Sequence, residues 1–256
     1  MNNRGLSHST CQVYLSAIKS LHVMNDVVPP NLKSERIRLA LKAIRNKGPE
    51  PKHKKPITFN LLKQIWSLLK KSKNEYCIKA ILSLAFFGGM RGAEYLSSAT
   101  QPGPKIQQIW FQKTSSGTKM IYQVTKSKTK QNGFQIPFLC SGNEICAVCA
   151  MEQYLIWRST SEQLIQEDSL FTIDGRTVSK NYMNCVIKKL IKSMGTDTQG
   201  YSLHSIRYGA TTTAAQNHFH DWELRLVGGW SSNTYNRYIN TQNTNHRARF
   251  SRRLVQ

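Results

Sequence analysis

The decisive stretch of this sequence is LHSIRYGATTTAAQNHFHDWELRLVGGWSSNTYNRYI, residues 203–239. Within it, His204 and Arg207 lie three positions apart with no Gly or Pro between them, so on a helix both side chains would project from one face. An imidazole and a guanidinium on one face can bind one small anion together, and a phosphodiester is the obvious candidate. An ordinary pair on a surface helix is the alternative.

The end of the stretch, from residue 228 onward, adds an indole and two phenols. A glycine pair at 228–229 predicts a break, after which the pair Ser231-Ser232 can cap a further helix. That helix would place the phenol of Tyr235 or Tyr238 near the same anion. Trp230, taken alone, is typical of a hydrophobic core, because Trp buries a large apolar area. The order of the residue types, more than any single one, therefore points to chemistry on a phosphate.

Composition narrows the class of partner. The 256 residues include 36 Lys and Arg against 14 Asp and Glu, which gives a formal net charge of +22. Such an excess is self-repelling without a polyanion, and nucleic acid is the usual one. A hydrophobic content of 39% indicates a real core. The sequence has no apolar run of 18 residues and no secretory signal pattern. We therefore expect a soluble, intracellular protein without a membrane partner, whose six cysteines are thiols.

The order His-x-x-Arg, Gly-Gly-Trp and a Tyr eight residues after the Trp resembles the catalytic C-terminal half of the tyrosine recombinase (phage integrase-type) family. Within that family, the stretch is most similar to recombinases of eukaryotic mobile elements of the DIRS and Crypton type. The resemblance covers about residues 8–250 and is strongest at 86–95 and 203–239. It implies a mainly α fold with a small antiparallel β-sheet, in which a helical core-binding domain precedes the catalytic domain.

The resemblance implies a catalytic set of six residues, namely Arg91, Lys128, His204, Arg207, Trp230 and Tyr238. In that scheme Tyr238 attacks phosphorus to form a 3′-phosphotyrosyl link, the two arginines bind the non-bridging oxygens, and Lys128 protonates the leaving hydroxyl. An indole N–H donates but cannot take up a proton, so Trp230 would position the phosphate and His204 would do any acid–base work. The link conserves the phosphodiester energy, so the scheme needs no metal, no cofactor and no ATP.

Arg91 follows an apolar run at 78–87 that predicts a buried helix, which the pair Gly88-Gly89 would end. A cation directly after a buried helix is held rigidly at the edge of the core, where its planar fork can bind phosphate oxygens. The family has a similar Arg-x-x-Glu at this place, here Arg91 and Glu94, which carries its first catalytic arginine. An ordinary ion pair between the two on the surface is the alternative.

Residues 106–138 alternate in the manner of strands, as IQQIWF, KMIYQVT and FQIPF, with turns predicted at 115–117 and 132–133. In the family, a β-hairpin near this point carries the catalytic lysine, often within Ser-Lys-Thr. The resemblance therefore assigns Lys128. Lys126 and Lys130 remain alternatives, because a slip of two residues across a hairpin keeps the same face.

The nucleophile is Tyr238 or Tyr235, and helical periodicity cannot choose, because a spacing of three puts both on one face. The family's nucleophile typically lies eight or nine residues after the equivalent of Trp230. Tyr238 lies at eight and Tyr235 at five. The resemblance therefore favours Tyr238.

The sequence predicts two domains. Residues 1–47 contain two runs with helical periodicity on either side of Pro29-Pro30, which the resemblance identifies as a core-binding domain. The family usually has about four helices there, so we expect this domain to be partial. Three prolines, a glycine and several cations at 48–56 predict an extended basic linker. It would be a solvated linker, a strap along DNA phosphates or a nuclear-import signal. Residues 57–256 predict the catalytic domain.

Cys140, Cys146 and Cys149 include one C-x-x-C. Structural zinc needs a fourth ligand and usually a second paired motif, and neither stands nearby in the sequence. The pattern therefore favours buried thiols at the start of a helix that continues through Tyr154, without a metal.

The resulting hypothesis is a site-specific recombinase or integrase that cuts and rejoins double-stranded DNA for the integration of a mobile element. It would act as a dimer or tetramer on DNA, in the nucleus if its source is eukaryotic. The first alternative is a domesticated DNA-binding protein that has stopped cutting. The second is a type IB topoisomerase, which shares the chemistry but relaxes DNA as a monomer. All six residue types are present in order, which argues against the domesticated protein.

Overall fold

The structure is a computed structural model of the chain that describes residues 6–48, 54–70, 72–115, 117–125, 127, 132–161 and 163–228. The chain divides into two compact units, residues 1–52 and residues 53–256. In the described ranges, no helix is long and apolar enough to cross a membrane.

The first unit contains helices α1 (His8–Met24) and α2 (Glu35–Lys47), which pack against each other. Ser7 caps α1, since its hydroxyl accepts the Thr10 N–H at 3.2 Å. None of the residues in these two fully described helices is buried, and apolar side chains such as Val13 and Leu21 are exposed. The unit therefore consists of the two helical runs that the periodicity predicts.

The second unit is built around one apolar helix. Its described helices are α3 (Phe59–Leu68), α4 (Lys73–Phe87), α5 (Gly92–Tyr95), α6 (Ala147–Ser159), α7 (Lys180–Ser193), α8 (Leu203–Gln216) and α9 (Asp221–Gly228). Most of α4 is buried, from Cys77 to Phe86, because the helix is apolar on nearly every face. Helices α6 and α8 both pack on α4. The predicted buried helix at 78–87 is therefore the centre of this unit.

A three-stranded antiparallel sheet covers one side of this core, with strands β1 (Ile109–Thr114), β2 (Gly117–Val124) and β3 (Phe134–Leu139) in the order β1-β2-β3. Met120, Tyr122 and Val124 point from β2 into the core at the two-residue period of a strand. The strand predicted over IQQIWF is shorter than expected. Ile106–Gln108 form a 3₁₀ turn instead, in which the Lys105 N–H donates to Gln108 Oε1 at 2.8 Å.

A second small sheet pairs β4 (Thr172–Ile173) with β5 (Arg176–Thr177). With helices in the majority and a small antiparallel sheet, the predicted fold class is confirmed.

Residues 54–58, here called the crossing segment, lie across helix α8. The Ile57 N–H donates to the Ser205 carbonyl at 2.8 Å, and the Lys55 N–H donates to the Gly200 carbonyl at 3.1 Å. A Cβ atom on Gly209 would lie 1.7 Å from the Ile57 carbonyl oxygen, so only glycine permits this approach of two backbones. The last residues of the predicted linker therefore belong to the second unit.

Candidate active site

Arg91 lies at the end of the central helix, where it forms the N-cap of α5. Its Nη1 is 3.1 Å from Glu94 Oε1, and its backbone N–H donates to Glu94 Oε2 at 2.7 Å. The Arg91 side chain is 25% exposed, whereas that of Glu94 is 3% exposed. This is a half-buried, doubly connected pair and not an ordinary surface pair. Since a guanidinium has five N–H donors, the carboxylate orients Arg91 and leaves most of its donors for another acceptor.

The sheet supports this arrangement from behind. The buried Tyr122 hydroxyl on β2 donates to the Glu94 carbonyl at 2.8 Å. Burial, and secondarily the Glu94 carboxylate, raises the pKa of Tyr122 above its ordinary value. The phenol therefore stays protonated and remains a donor, which holds α5 against β2.

The start of α8 is fixed by side-chain caps. The Ser202 N–H donates to Ser205 Oγ at 3.0 Å, and the Ser205 N–H donates to the Ser202 carbonyl at 2.8 Å. Asn184 of α7 accepts the Leu203 N–H at 2.8 Å. These bonds set the first turn of the helix, and with it the position of His204.

Arg207 connects α8 to the turn that precedes Arg91. Its side chain is buried, with the residue 2% exposed, and its Nη1 donates to the Gly89 carbonyl at 2.7 Å. Gly89 has φ 55°, in the left-handed region that favours glycine. Because this carbonyl lies two residues before Arg91, the bond brings the two arginines to the same end of α4.

His204 lies among these cations. Burial lowers its pKa to about 4, and the positive charges of Lys54, Arg207 and Arg91 act in the same direction. The imidazole is therefore neutral near pH 7 and able to accept a proton. A neutral base surrounded by three cations is an arrangement suited to an anionic ligand, since an anion would offset the mutual repulsion of the cations.

Solved structures share the fold that carries this site. The integrase of the Tn1549 transposon, in complex with transposon right-end DNA, matches 100% of this chain and 82% of its own, with a TM-score of 0.63 and 16% identity. The XerH site-specific recombinase, in a post-cleavage complex with a palindromic difH substrate, matches 98% and 69%, with a TM-score of 0.64 and 16% identity. The XerA recombinase matches 97% and 76%, with a TM-score of 0.56 and 16% identity. This chain has the tyrosine recombinase fold.

No protein-family model matches the sequence, and no curated protein matches it significantly. The tyrosine recombinase fold predicted from the sequence is thus confirmed by structural likeness. The likeness to the DIRS and Crypton types remains a prediction.

On this tyrosine recombinase fold, three of the six predicted site residues come together, namely Arg91, His204 and Arg207. The other three, Lys128, Trp230 and Tyr238, lie outside the described residues, as do the alternatives Lys126, Lys130 and Tyr235. Their roles remain predictions.

Sequence reasoning missed three contributors to the site. Lys54 was placed in the linker, although the crossing segment brings its charge to His204. Glu94 was recognised only as a motif residue, and Tyr122 only as a strand residue. The one signal in the sequence for Lys54 is its place two residues before Pro56 and three before the apolar Ile57, where a linker ends and a core begins.

Proposed function

We propose that this chain is a site-specific DNA recombinase or integrase that cuts and rejoins DNA strands through a 3′-phosphotyrosyl intermediate. The observation that carries the proposal is the convergence of Arg91, His204 and Arg207 from distant parts of the second unit. The net charge of +22 and the DNA present in the Tn1549 and XerH complexes support duplex DNA as the substrate.

In this proposal the two arginines bind the non-bridging oxygens of the scissile phosphate. Glu94 orients one guanidinium and the Gly89 carbonyl orients the other before substrate arrives. Donors fixed in advance stabilise the charge that develops in the transition state without a cost of reorganisation at that moment. Preorganised charge of this kind is the main requirement for catalysis at a phosphate.

His204 would accept the proton of the attacking phenol. A phenol of pKa about 10 is a weak nucleophile near neutral pH unless a base takes its proton. The pKa of His204 lies well below its ordinary value in the free protein, so the imidazole is unprotonated when DNA arrives. Formation of the imidazolium beside the negatively charged phosphate then becomes more favourable than it is in the empty site.

The remaining steps are assigned by resemblance. Tyr238 attacks phosphorus, the bond to the 5′ oxygen breaks, and Lys128 supplies a proton to that oxygen, while the Trp230 N–H donates to the phosphate. Attack by the 5′-hydroxyl of a second strand reverses these transfers and restores the phenol, so the cycle balances without an external energy source. Strand exchange between two sites needs several active sites, so we propose that the chain assembles as a dimer or tetramer on DNA.

We further propose that the reaction serves a mobile element of the DIRS or Crypton type, in the nucleus of a eukaryotic host. In this view residues 1–47 form a helical core-binding domain, 48–56 are a basic linker, and 57–256 are the catalytic domain.

A nicked suicide substrate tests the proposal, because loss of the short fragment that carries the released 5′-hydroxyl prevents religation and traps the covalent link. Duplexes that carry the ends of the encoding element should give a protein–DNA adduct with the unsubstituted chain. Tyr238→Phe should abolish the adduct and leave DNA binding unchanged, whereas the matched variant Tyr235→Phe should keep it. An adduct that maps to Tyr235 would overturn the assignment of the nucleophile.

Two other outcomes would indicate the alternative functions. Binding of these duplexes without any adduct would favour the domesticated DNA-binding protein. Relaxation of supercoiled plasmids that contain no element ends would favour a type IB topoisomerase.

A further inference from the structure

Three cysteine side chains meet between the sheet and helix α6. Cys140 directly follows β3, Cys146 is the N-cap of α6, and Cys149 lies in the first turn of that helix. The Cys140 and Cys149 sulfurs are 3.4 Å apart, the Cys140 and Cys146 sulfurs are 3.8 Å apart, and all three lie within 4.8 Å of one another. The sequence places these three cysteines within ten residues, and the fold brings their sulfurs together. Cys146 is buried as expected, whereas Cys140 and Cys149 are only partly buried.

The spacing of these sulfurs fits a tetrahedral metal site. Zinc binds thiolate sulfur at about 2.3 Å, so two sulfurs of a regular tetrahedron lie about 3.8 Å apart. A disulfide would use two of the sulfurs at about 2.05 Å and leave the third without a role. Convergence of all three sulfurs towards one centre is therefore better explained by a shared ion than by a pair.

The surroundings favour a thiolate at Cys146. The Ser141 N–H lies 3.4 Å from Cys146 Sγ and donates to it. Cys146 and Cys149 are both at the N-terminal end of α6, where the backbone dipoles favour negative charge. Deprotonated thiols are the form that binds zinc.

We propose that Cys140, Cys146 and Cys149 bind one zinc ion, with a water molecule as the fourth ligand. Among the described residues, no other Cys, His, Asp or Glu joins this cluster. The ion would link the end of β3 to the start of α6, because its ligands come from both.

The cysteine cluster lies between two elements that lead to proposed active-site residues. Helix α6 packs on α4, whose far end leads into Arg91, and the turn between β2 and β3 carries Lys128 in the sequence. A fastening at Cys140 thus fixes the sheet relative to the central helix. The proposal stands apart from the proposed recombinase activity, since the ion can be measured on the purified chain without DNA.

Native mass spectrometry and elemental analysis of the full chain, purified under reducing conditions, test the proposal. We expect one zinc ion per chain. Cys140→Ser, Cys146→Ser and Cys149→Ser should each lower zinc affinity about tenfold or more. The matched control Cys185→Ser changes an exposed cysteine outside the cluster and should retain the ion.

A second measurement does not depend on the variants, since a serine variant that unfolds would also lose metal. Cobalt added to the unsubstituted, metal-stripped chain should give sulfur-to-cobalt charge-transfer bands and the intense d–d bands of tetrahedral coordination. Failure to bind zinc or cobalt would overturn the proposal if Cys140, Cys146 and Cys149 are all shown to be reduced by their reaction with maleimide. So would a Cys140–Cys149 disulfide in reduced preparations, or equal loss of zinc from Cys185→Ser.

Discussion

Arg91 is proposed to act in catalysis, and it also neutralises the buried carboxylate of Glu94. Replacing Arg91 alone would therefore change both the cleavage rate and the stability. We predict that Arg91→Ala slows cleavage of a suicide substrate about a hundredfold or more, on the order of 3 kcal/mol, because the guanidinium acts mainly on transition-state charge. DNA binding should hardly change. Single-turnover cleavage and a binding titration on the same duplex measure the two effects.

The control for this prediction is the double variant Arg91→Ala/Glu94→Gln. Arg91→Ala alone leaves a buried carboxylate without its partner, which lowers the free energy of unfolding. The neutral amide of Gln removes that penalty, so the double variant should regain stability and remain slow. Wild-type cleavage by Arg91→Ala would contradict the assigned role.

His204 should make stability depend on pH. In the folded chain its pKa lies near 4, whereas in the unfolded chain it lies near the ordinary 6.5. Between these values the unfolded state binds more protons, so the free energy of unfolding falls as pH falls from 6.5 towards 4. We expect the loss to be about 1 to 2 kcal/mol, with allowance for the partly exposed ring.

Urea unfolding at pH 7 and pH 4.5 measures this effect. His204→Gln keeps a polar side chain that does not titrate, so the unsubstituted chain should lose about 1 to 2 kcal/mol more than this variant on acidification. Equal losses by the two proteins would show that His204 titrates normally in the folded state.

At the scale of elements, the close packing of the crossing segment on α8 requires a residue without a side chain at Gly209. We predict that Gly209→Ala lowers the free energy of unfolding by about 3 kcal/mol or more, because the new methyl group would overlap the Ile57 carbonyl. Gly92→Ala is the matched control. There the nearest atoms lie at 3.5 Å, in ordinary contact, so its stability should change by less than about 1 kcal/mol. Similar denaturant midpoints for the two variants would contradict the close approach.

Many helices and strands could be predicted because their signals lie within a few residues of one another in the sequence. Serine caps mark the starts of α1 and α7, where Ser7 and Ser179 each accept a backbone N–H. The two-residue period places Tyr122 on the inner face of β2. The 3₁₀ turn at 106–108 does not follow from periodicity, because it depends on the Gln108 side-chain oxygen, which accepts the Lys105 N–H.

Contacts between elements could not be predicted in this way. The reason for glycine at 209 is the backbone of the crossing segment, which lies about 150 positions earlier in the chain. It depends on how distant segments pack, which spacing along the chain does not encode. The meeting of Arg91 and Arg207 was expected only through the family resemblance.

At the scale of the whole molecule, the net charge of +22 should dominate the affinity for DNA. Each phosphate that the protein neutralises adds roughly 0.9 to the slope of log affinity against log salt. We predict a slope that corresponds to several phosphates, with binding that weakens steeply between low and physiological salt. Fluorescence anisotropy with a labelled duplex over a series of KCl concentrations measures it. An affinity that barely responds to salt would contradict this prediction.

A paired substitution shows whether the exposed basic face of α7 contributes to that slope. Lys188→Gln/Lys192→Gln removes two charges from side chains that point to solvent. If this face contacts phosphates, the slope falls by about 0.9 for each lysine. An unchanged slope would show that this face of α7 is only solvated and that other cations make the phosphate contacts.

The contact between α8 and the start of α3, directly after the crossing segment, also affects when the site can form during synthesis. The Phe59 N–H donates to Thr213 Oγ1 across 154 positions, so the second unit is closed by a contact between parts of the chain that are made far apart in time. Contacts of such long range form late, because the intervening chain must first be ordered. At about 5 to 20 residues per second, roughly ten seconds separate the synthesis of Arg91 from that of Arg207. A nascent chain on the ribosome therefore carries one arginine of the anion site without the other, and it becomes competent to bind a phosphate at this site only after α8 has emerged and folded back.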